Sequence, residues 1–144
     1  MERPALLALP VVALAAVIVQ LRTIFAYETI RDWLGLDLVV LTELSRLSWS
    51  LTAAVGLAAV GYAYGTQAKS EPRHVLGLAA LAALIGTLAG NVVLWLSADV
   101  SWGGELVSAP ALFGLYGLLD ALTFGLLVVG GYALTLGAQS RRSR

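Results

Sequence analysis

The fold is decided by a long apolar stretch, residues 110–137, which reads PALFGLYGLLDALTFGLLVVGGYALTLG and contains one charged residue, Asp120. An apolar run of about 20 residues is long enough to cross the hydrocarbon core of a bilayer as a helix. The stretch therefore predicts a membrane-spanning helix with one carboxylate inside it. Because a charge at this depth is costly, we expect it to face other helices rather than lipid.

The composition of the whole chain favours a membrane protein. Of 144 residues, 59% are hydrophobic and only 12% are charged, and the mean hydropathy is +0.85. This is too little charge to cover the surface of a small water-soluble domain. Arginine outnumbers lysine eight to one in a chain dominated by Ala, Leu, Gly and Val, which is typical of a GC-rich prokaryotic genome.

Several kinds of chemistry are excluded by the residues that the chain lacks. It has no cysteine and a single histidine, His74, so disulfides, thiolate metal sites and paired histidine ligands within one chain are excluded. A net charge of zero provides no basic face for nucleic acid. No nucleophile–base pair or set of metal ligands stands out. We therefore expect no enzyme activity, no catalytic or metal-binding residues, no cofactor and no nucleic-acid partner.

Three further apolar runs, which precede this last stretch in the chain, are long enough to span a membrane. The sequence predicts one membrane domain, residues 1–144, with spans at about 5–27, 47–66, 75–97 and 110–137 and a basic tail at 138–144. A signal peptide is the alternative for the first run, but no small-residue cleavage site with a polar mature start follows it. The predicted fold class is an all-α integral membrane protein, a four-transmembrane-helix bundle.

An amphipathic segment, residues 28–46, separates the first two predicted spans. Its apolar residues recur at three- and four-residue steps, Gly35 suits a helix C-terminus and Asp37 suits an N-cap. We expect helices 1 and 2 to extend beyond the outer membrane face as a hairpin, with strong tilt as the alternative. The other helix of the hairpin, a partner subunit or the lipid headgroup layer would then cover the apolar stripe.

The basic residues predict the orientation in the membrane. Residues 67–74 carry two of them and the tail carries three, whereas residues 99–108 have two acids and no base, and residues 28–46 have four acids and two bases. The positive-inside rule then places both termini in the cytoplasm, with the protein in the plasma membrane. All four tryptophans fall near the predicted outer interface, where indole is enriched: Trp33, Trp49, Trp95 and Trp102.

Four polar residues are predicted at similar depth in the outer half of the membrane: Asp120, Asn91, Arg22 and Gln20. At that depth an ion pair between Arg22 and Asp120 is geometrically feasible. The cluster is either a structural pin that fixes helix register or a proton or ion site. A proton relay usually has several acids or histidines in series, whereas the predicted spans of this chain contain one such residue, Asp120, which favours the pin.

Small residues at four-residue steps predict close helix packing. They form one motif in each of the last three spans: Gly61 and Gly65; Gly86 and Gly90; Gly117, Ala121 and Gly125. Such motifs serve either oligomerisation or packing within the bundle. Because the bundle must pack in any case, we expect at least two of the three to be used internally.

The sequence identifies no particular activity. We expect a small non-enzymatic membrane protein that acts as an accessory or structural subunit of a homo-oligomer or of a larger membrane complex. Its partners would be the lipid bilayer and either further copies of the chain or other membrane subunits. The alternative is a small proton- or ion-coupled transporter or channel that uses Asp120.

Overall fold

The computed structural model describes residues 4–24, 28–97 and 109–142, and within these ranges the protein is all-helical, with no strand. Four of the helices are long and apolar enough to cross a membrane. The predicted all-α class and the predicted number of long apolar helices are therefore confirmed. The predicted loop at residues 99–108 lies outside the described residues.

The helices follow one another in the order α1 (Pro4–Thr23), α2 (Glu28–Leu34), α3 (Leu38–Leu51), a π-helical turn (Thr52–Leu57), α4 (Ala58–Gln67), α5 (Pro72–Ser97) and α6 (Ala109–Arg142). α3, the π-helical turn and α4 form one continuous helix of 30 residues, called the second long helix below. The other three long helices are α1, α5 and α6.

The observed helix ends differ from the predicted spans in two places. α1 ends at Thr23, four residues before the predicted end of the first span. The amphipathic segment, residues 28–46, forms α2 and the start of the second long helix. α6 continues to Arg142, so most of the predicted tail is helical. No proline follows Pro110, and glycine weakens a helix without necessarily ending it.

Gly35 forms the corner between α2 and α3. Its φ of 58° is a left-handed conformation that glycine adopts without steric cost, and its amide donates a 3.0 Å hydrogen bond to the carbonyl of Arg31. Asp37 occupies the N-cap position of α3, but its side chain makes no capping hydrogen bond. The sequence thus located the corner correctly, and only the expected side-chain cap is missing.

The long helices pack as two parallel pairs, α1 with α5 and α4 with α6, and α5 runs antiparallel to α6 between them. Two names are used below for the ends of the bundle. The hairpin end is where α1 finishes at Thr23 and α3 begins at Leu38. The loop end is where α4 finishes at Gln67 and α5 begins at Pro72. Between them lies a continuous core of mainly aliphatic and small side chains, with a few aromatic rings.

The second long helix faces the bundle with every fourth residue. The buried members of this series are Leu41, Ser45, Ala53, Leu57, Gly61 and Gly65, and Trp49 is half-buried. In an α-helix of 3.6 residues per turn, each four-residue step rotates the contact face by about 40°. The two halves of the helix would therefore face different directions.

The π-helical turn corrects this drift. A π-type turn accommodates about one extra residue, so it rotates the following half of the helix back by about 100°. Ser45 and Trp49 before the turn and Gly61 after it then all face the same bundle. The turn is what allows one helix to supply a tryptophan to the hairpin end and close glycine contacts near the loop end.

Candidate functional site: the Arg22–Asp120 pair

An ion pair joins the end of α1 to α6. Nη1 of Arg22 donates to Oδ2 of Asp120, and Nη2 donates to Oδ1 at 3.0 Å, so the pair is bidentate. The two side chains are 28% and 20% exposed, respectively. In this geometry the flat guanidinium and the flat carboxylate make two charge-assisted hydrogen bonds, which is a strong and orienting arrangement. The pair therefore fixes where α1 ends relative to α6.

The two charged residues occupy different positions along their helices. Arg22 lies in the last turn of α1, whereas Asp120 lies about three turns into α6. A lone carboxylate surrounded by apolar residues would be costly. The long side chain of Arg22 reaches this carboxylate from the end of α1 and supplies the opposite charge.

Two aromatic rings flank the guanidinium of Arg22. Its Cζ lies 4.3 Å from the ring centroid of Trp49 and 5.7 Å from that of Phe124. Both distances are within the range of cation–π attraction. Phe124 stands one helical turn after Asp120 and is fully buried. The carboxylate thus holds the guanidinium in its plane while the rings lie close to it, so the charge is stabilised from several directions.

Two neutral side chains complete the contacts at this end. Gln20 donates from Nε2 to the carbonyl of Gly90 at 2.9 Å. The hydroxyl of Ser45 lies 2.9 Å from the carbonyl of Leu21 and 3.1 Å from that of Arg22. Carbonyls in the last turn of a helix lack intrahelical partners, and Ser45 supplies one. The hairpin-end cluster joins all four long helices and consists of Gln20, Arg22, Ser45, Trp49 and Asp120.

Asn91, the fourth polar residue predicted at this depth, is not part of the cluster. It is half-buried on α5 beside Gly90, and its side chain makes no hydrogen bond to another residue of the described ranges. Sequence reasoning missed Ser45 and used Trp49 only as a marker of the interface. Their four-residue spacing, which puts both on one helix face, was the available signal. The side chains of Trp95 and Trp102 are not among those described.

A second polar cluster closes the loop end, and sequence reasoning missed it. The hydroxyl of Tyr132 on α6 donates to the carbonyl of Ser70 at 2.5 Å and accepts from the amide of Ser70 at 3.0 Å. The hydroxyl of Tyr64 lies 3.1 Å from Oγ of Ser70, and the two tyrosine rings are 6.3 Å apart. The signal was the pair of tyrosines in apolar helices, since a buried tyrosine hydroxyl usually has a partner. Tyr64, Ser70 and Tyr132 are called the loop-end clasp below.

The predicted small-residue motifs lie against other helices of the same chain. A Cβ on Gly61 would overlap the backbone of Val128, and one on Gly86 would overlap the backbone of Val12. The other members also face neighbouring helices: Gly65, Gly90, Gly117, Ala121 and Gly125. The motif on α4 thus packs against α6, and the motif on α5 packs against α1. The motif on α6 faces α5.

Three other glycines within the described helices have open space where a Cβ would be: Gly77 on α5, and Gly130 and Gly137 on α6. All three are exposed. They were not singled out from the sequence, because spacing alone does not show which face of a helix points outward. Gly130 and Gly137 lie on one helix, where small exposed residues would let another helix approach closely.

The chemistry available at the hairpin-end cluster is limited. Its two charges neutralise each other, and no group of three or more potential metal ligands occurs in the described part of the chain. Comparison of the chain with protein-family models, with curated proteins and with solved structures found no match. The functional inference therefore rests on the residues and their geometry.

Proposed function

We propose that the protein is an integral, multi-pass membrane protein and acts as a non-enzymatic structural or accessory subunit of a homo-oligomer or of a larger membrane complex. The observation that carries the proposal is the bidentate Arg22–Asp120 pair. These are the charged residues of the apolar stretches at residues 4–24 and 109–140, and each is used to hold the other. Because the two interior charges are paired with each other, the outer surface of the bundle is the part that can bind other molecules.

One part of that surface favours contact with another subunit. Gly130, Ala133 and Gly137 are exposed on α6 at three- and four-residue steps, and the two glycines face open space. Small residues at this spacing allow a second helix to approach closely, which is how many membrane helices associate. The small-residue motifs inside the bundle are already occupied, so this outward seam is the remaining one among the described side chains of α6.

The oligomeric state tests the proposal. Native mass spectrometry of protein extracted gently from its own membranes should give either a multiple of the chain mass or a mass that includes other polypeptides. Gly130→Leu and Gly137→Leu should shift the protein toward a single chain by blocking close approach. Gly77→Leu is the matched control, since Gly77 is an equally open glycine on a different helix. A wild-type protein that is a lone monomer would contradict the proposed role.

The proposed orientation has both termini and the loop end in the cytoplasm, in the plasma membrane. It is supported by the basic residues of the 67–74 connection and of the C-terminus. The chain has no cysteine, so single cysteines can report the sidedness. In intact cells, a membrane-impermeant maleimide should label Thr29→Cys, an exposed position on α2, and it should label Lys69→Cys only after permeabilisation. The opposite labelling would reverse the proposed topology.

A second candidate function is a small proton- or ion-coupled transporter or channel that uses Asp120. Two observations favour it: the carboxylate is one-fifth exposed, and the π-helical turn begins three residues after Trp49. Turns of this type are frequent at functional sites. In liposomes, Asp120→Asn should abolish a pH-dependent ion flux if the carboxylate carries the coupled charge. Unchanged flux would exclude this mechanism and leave the structural role.

A further inference from the structure

The corner between α2 and α3 exposes several large apolar side chains. Trp33 is 83% exposed, Leu38 is 64% exposed and Val39 is 68% exposed. Leu36 between them is also exposed. An exposed apolar group of this size, gathered at one turn of the chain, is expected to contact something other than water.

The height of this corner relative to α1 follows from one contact. Because the hydroxyl of Ser45 bonds to the carbonyls of Leu21 and Arg22, Ser45 is level with the last turn of α1. α1 has 20 residues, which at about 1.5 Å per residue matches the roughly 30 Å of hydrocarbon in a bilayer. α3 begins seven residues before Ser45, so its first two turns rise about 10 Å beyond that level. This is the depth of the lipid headgroups.

The exposed face of the corner is continuous with the side of the helix below it. Val40, Leu44, Leu47 and Leu51 follow one another at steps of four, three and four residues, and all are exposed. Such steps keep side chains on one face of a helix. If the lower part of this face contacts lipid tails, the same lipids would present their headgroups to the upper part and to the corner.

The charges of the corner select among lipid headgroups. Residues 28–46 contain four acids and two bases, so the segment is repelled by anionic headgroups. Two acids, Asp32 and Asp37, are exposed close to Trp33 in the sequence. An aromatic face and carboxylates are the groups that attract an alkylated ammonium. Choline headgroups carry a quaternary ammonium and ethanolamine headgroups a primary ammonium. Both lie beside the interface where indole is enriched.

We propose, on the basis of the membrane insertion proposed above, that the α2–α3 corner is a docking surface for zwitterionic lipid headgroups. Trp33, Leu36, Leu38 and Val39 enter the headgroup layer of the bilayer that the long helices cross. Asp32 and Asp37 face the ammonium groups. The corner thereby holds the second long helix at a fixed depth and tilt.

Fluorescence of a single tryptophan tests the proposal. The variant keeps Trp33 and carries Trp49→Phe, Trp95→Phe and Trp102→Phe, and it is placed in phosphatidylcholine nanodiscs. Trp33 should emit at short wavelength, and a nitroxide on the lipid headgroup should quench it severalfold more than aqueous iodide does. Replacing half of the lipid with phosphatidylglycerol at low salt should weaken the nitroxide quenching. In this lipid mixture, the double variant Asp32→Asn with Asp37→Asn should restore the nitroxide quenching.

Three outcomes would overturn the docking surface. Emission at long wavelength with strong iodide quenching would place Trp33 in water. Emission at short wavelength that ignores the lipid nitroxide and depends on the protein-to-lipid ratio would place it against a second copy of the chain. Equal quenching in the neutral and anionic lipids would remove the selection for zwitterionic headgroups. Failure of the chain to remain in membranes after alkaline extraction would instead contradict the proposed membrane insertion itself.

Discussion

The two ends of the bundle are closed by different chemistry. At the hairpin end, a guanidinium and a carboxylate 98 residues apart in the chain form a bidentate ion pair beside an indole ring. At the loop end, the neutral hydroxyl of Tyr132 binds both backbone groups of Ser70, 62 residues away. Both contacts tie α6 to another part of the chain. They differ in whether removal of one partner leaves a charged group or a neutral polar group unpaired.

That difference determines how each end responds to substitution. Removing one member of an ion pair leaves a charge without a partner, and the cost of that charge is large in apolar surroundings. Removing one member of a neutral hydrogen bond leaves a polar group that costs less. The hairpin end should therefore be the more sensitive end, although both contacts join residues far apart in the chain.

Asp120→Leu should have the largest effect. It leaves the guanidinium of Arg22 without its carboxylate, and we expect the free energy of unfolding to fall by about 3 kcal/mol. Asp120→Asn should cost less than Asp120→Leu, because the amide oxygen still accepts one of the two hydrogen bonds, although the guanidinium loses its counter-charge. Reversible unfolding in mixed detergent micelles measures both changes.

The double variant Arg22→Leu with Asp120→Leu is the control for this prediction. It removes both charges together, so it should be more stable than Asp120→Leu alone. If the losses of the two single variants simply add in the double variant, the pair makes no coupled contribution and the contrast between the ends disappears.

Tyr132→Phe should have the second largest effect and should act at the other end. The change leaves the amide and the carbonyl of Ser70 without their partner, which should cost about 2 kcal/mol. Hydrogen exchange at the Ser70 amide should become faster. Added salt should not alter this loss, and it should reduce the effect of Asp120→Leu only slightly, because the ion pair is mostly buried and is therefore weakly screened. Unchanged exchange at Ser70 would show that the clasp does not hold the loop.

Much of the hairpin-end cluster could be anticipated from the sequence. Arg22 and Asp120 stand out because charges are rare in apolar stretches, and their expected depths are similar. The same reasoning found the four long helices, since length and hydropathy are sufficient for that. It could not find the loop-end clasp, because Tyr132 and Ser70 are neutral and their meeting depends on how α6 packs on the loop.

The contribution of Trp49 depends on a feature that local sequence patterns do not show. The π-helical turn Thr52–Leu57 contains no proline and begins no new helix, so nothing in the pattern marks it. Yet this turn sets the rotation of one half of the second long helix relative to the other. Whether Trp49 faces Arg22 or the outside of the bundle is decided by that rotation, which tertiary packing determines.

Trp49→Leu should have a smaller effect than either change above. The ion pair of Arg22 with Asp120 remains, but the guanidinium loses the ring at 4.3 Å. We expect a loss of about 1 kcal/mol, as for a partly shielded cation–π contact. Trp49→Phe should recover part of this loss in the same unfolding assay. Equal stability of Trp49→Leu and the wild-type protein would mean that the indole only fills space.

Tyr64→Phe should have the smallest effect and completes the comparison at the loop end. Only one hydrogen bond to Oγ of Ser70 is lost, and the partner is half-buried and can turn to water, so the cost should be about 0.5 kcal/mol. Tyr62→Phe is the matched control, since Tyr62 is 48% exposed and should show no change. A loss as large as that of Tyr132→Phe would mean that the two tyrosines and Ser70 act as one coupled unit. In that case the neutral end would be as sensitive to a single substitution as the charged end.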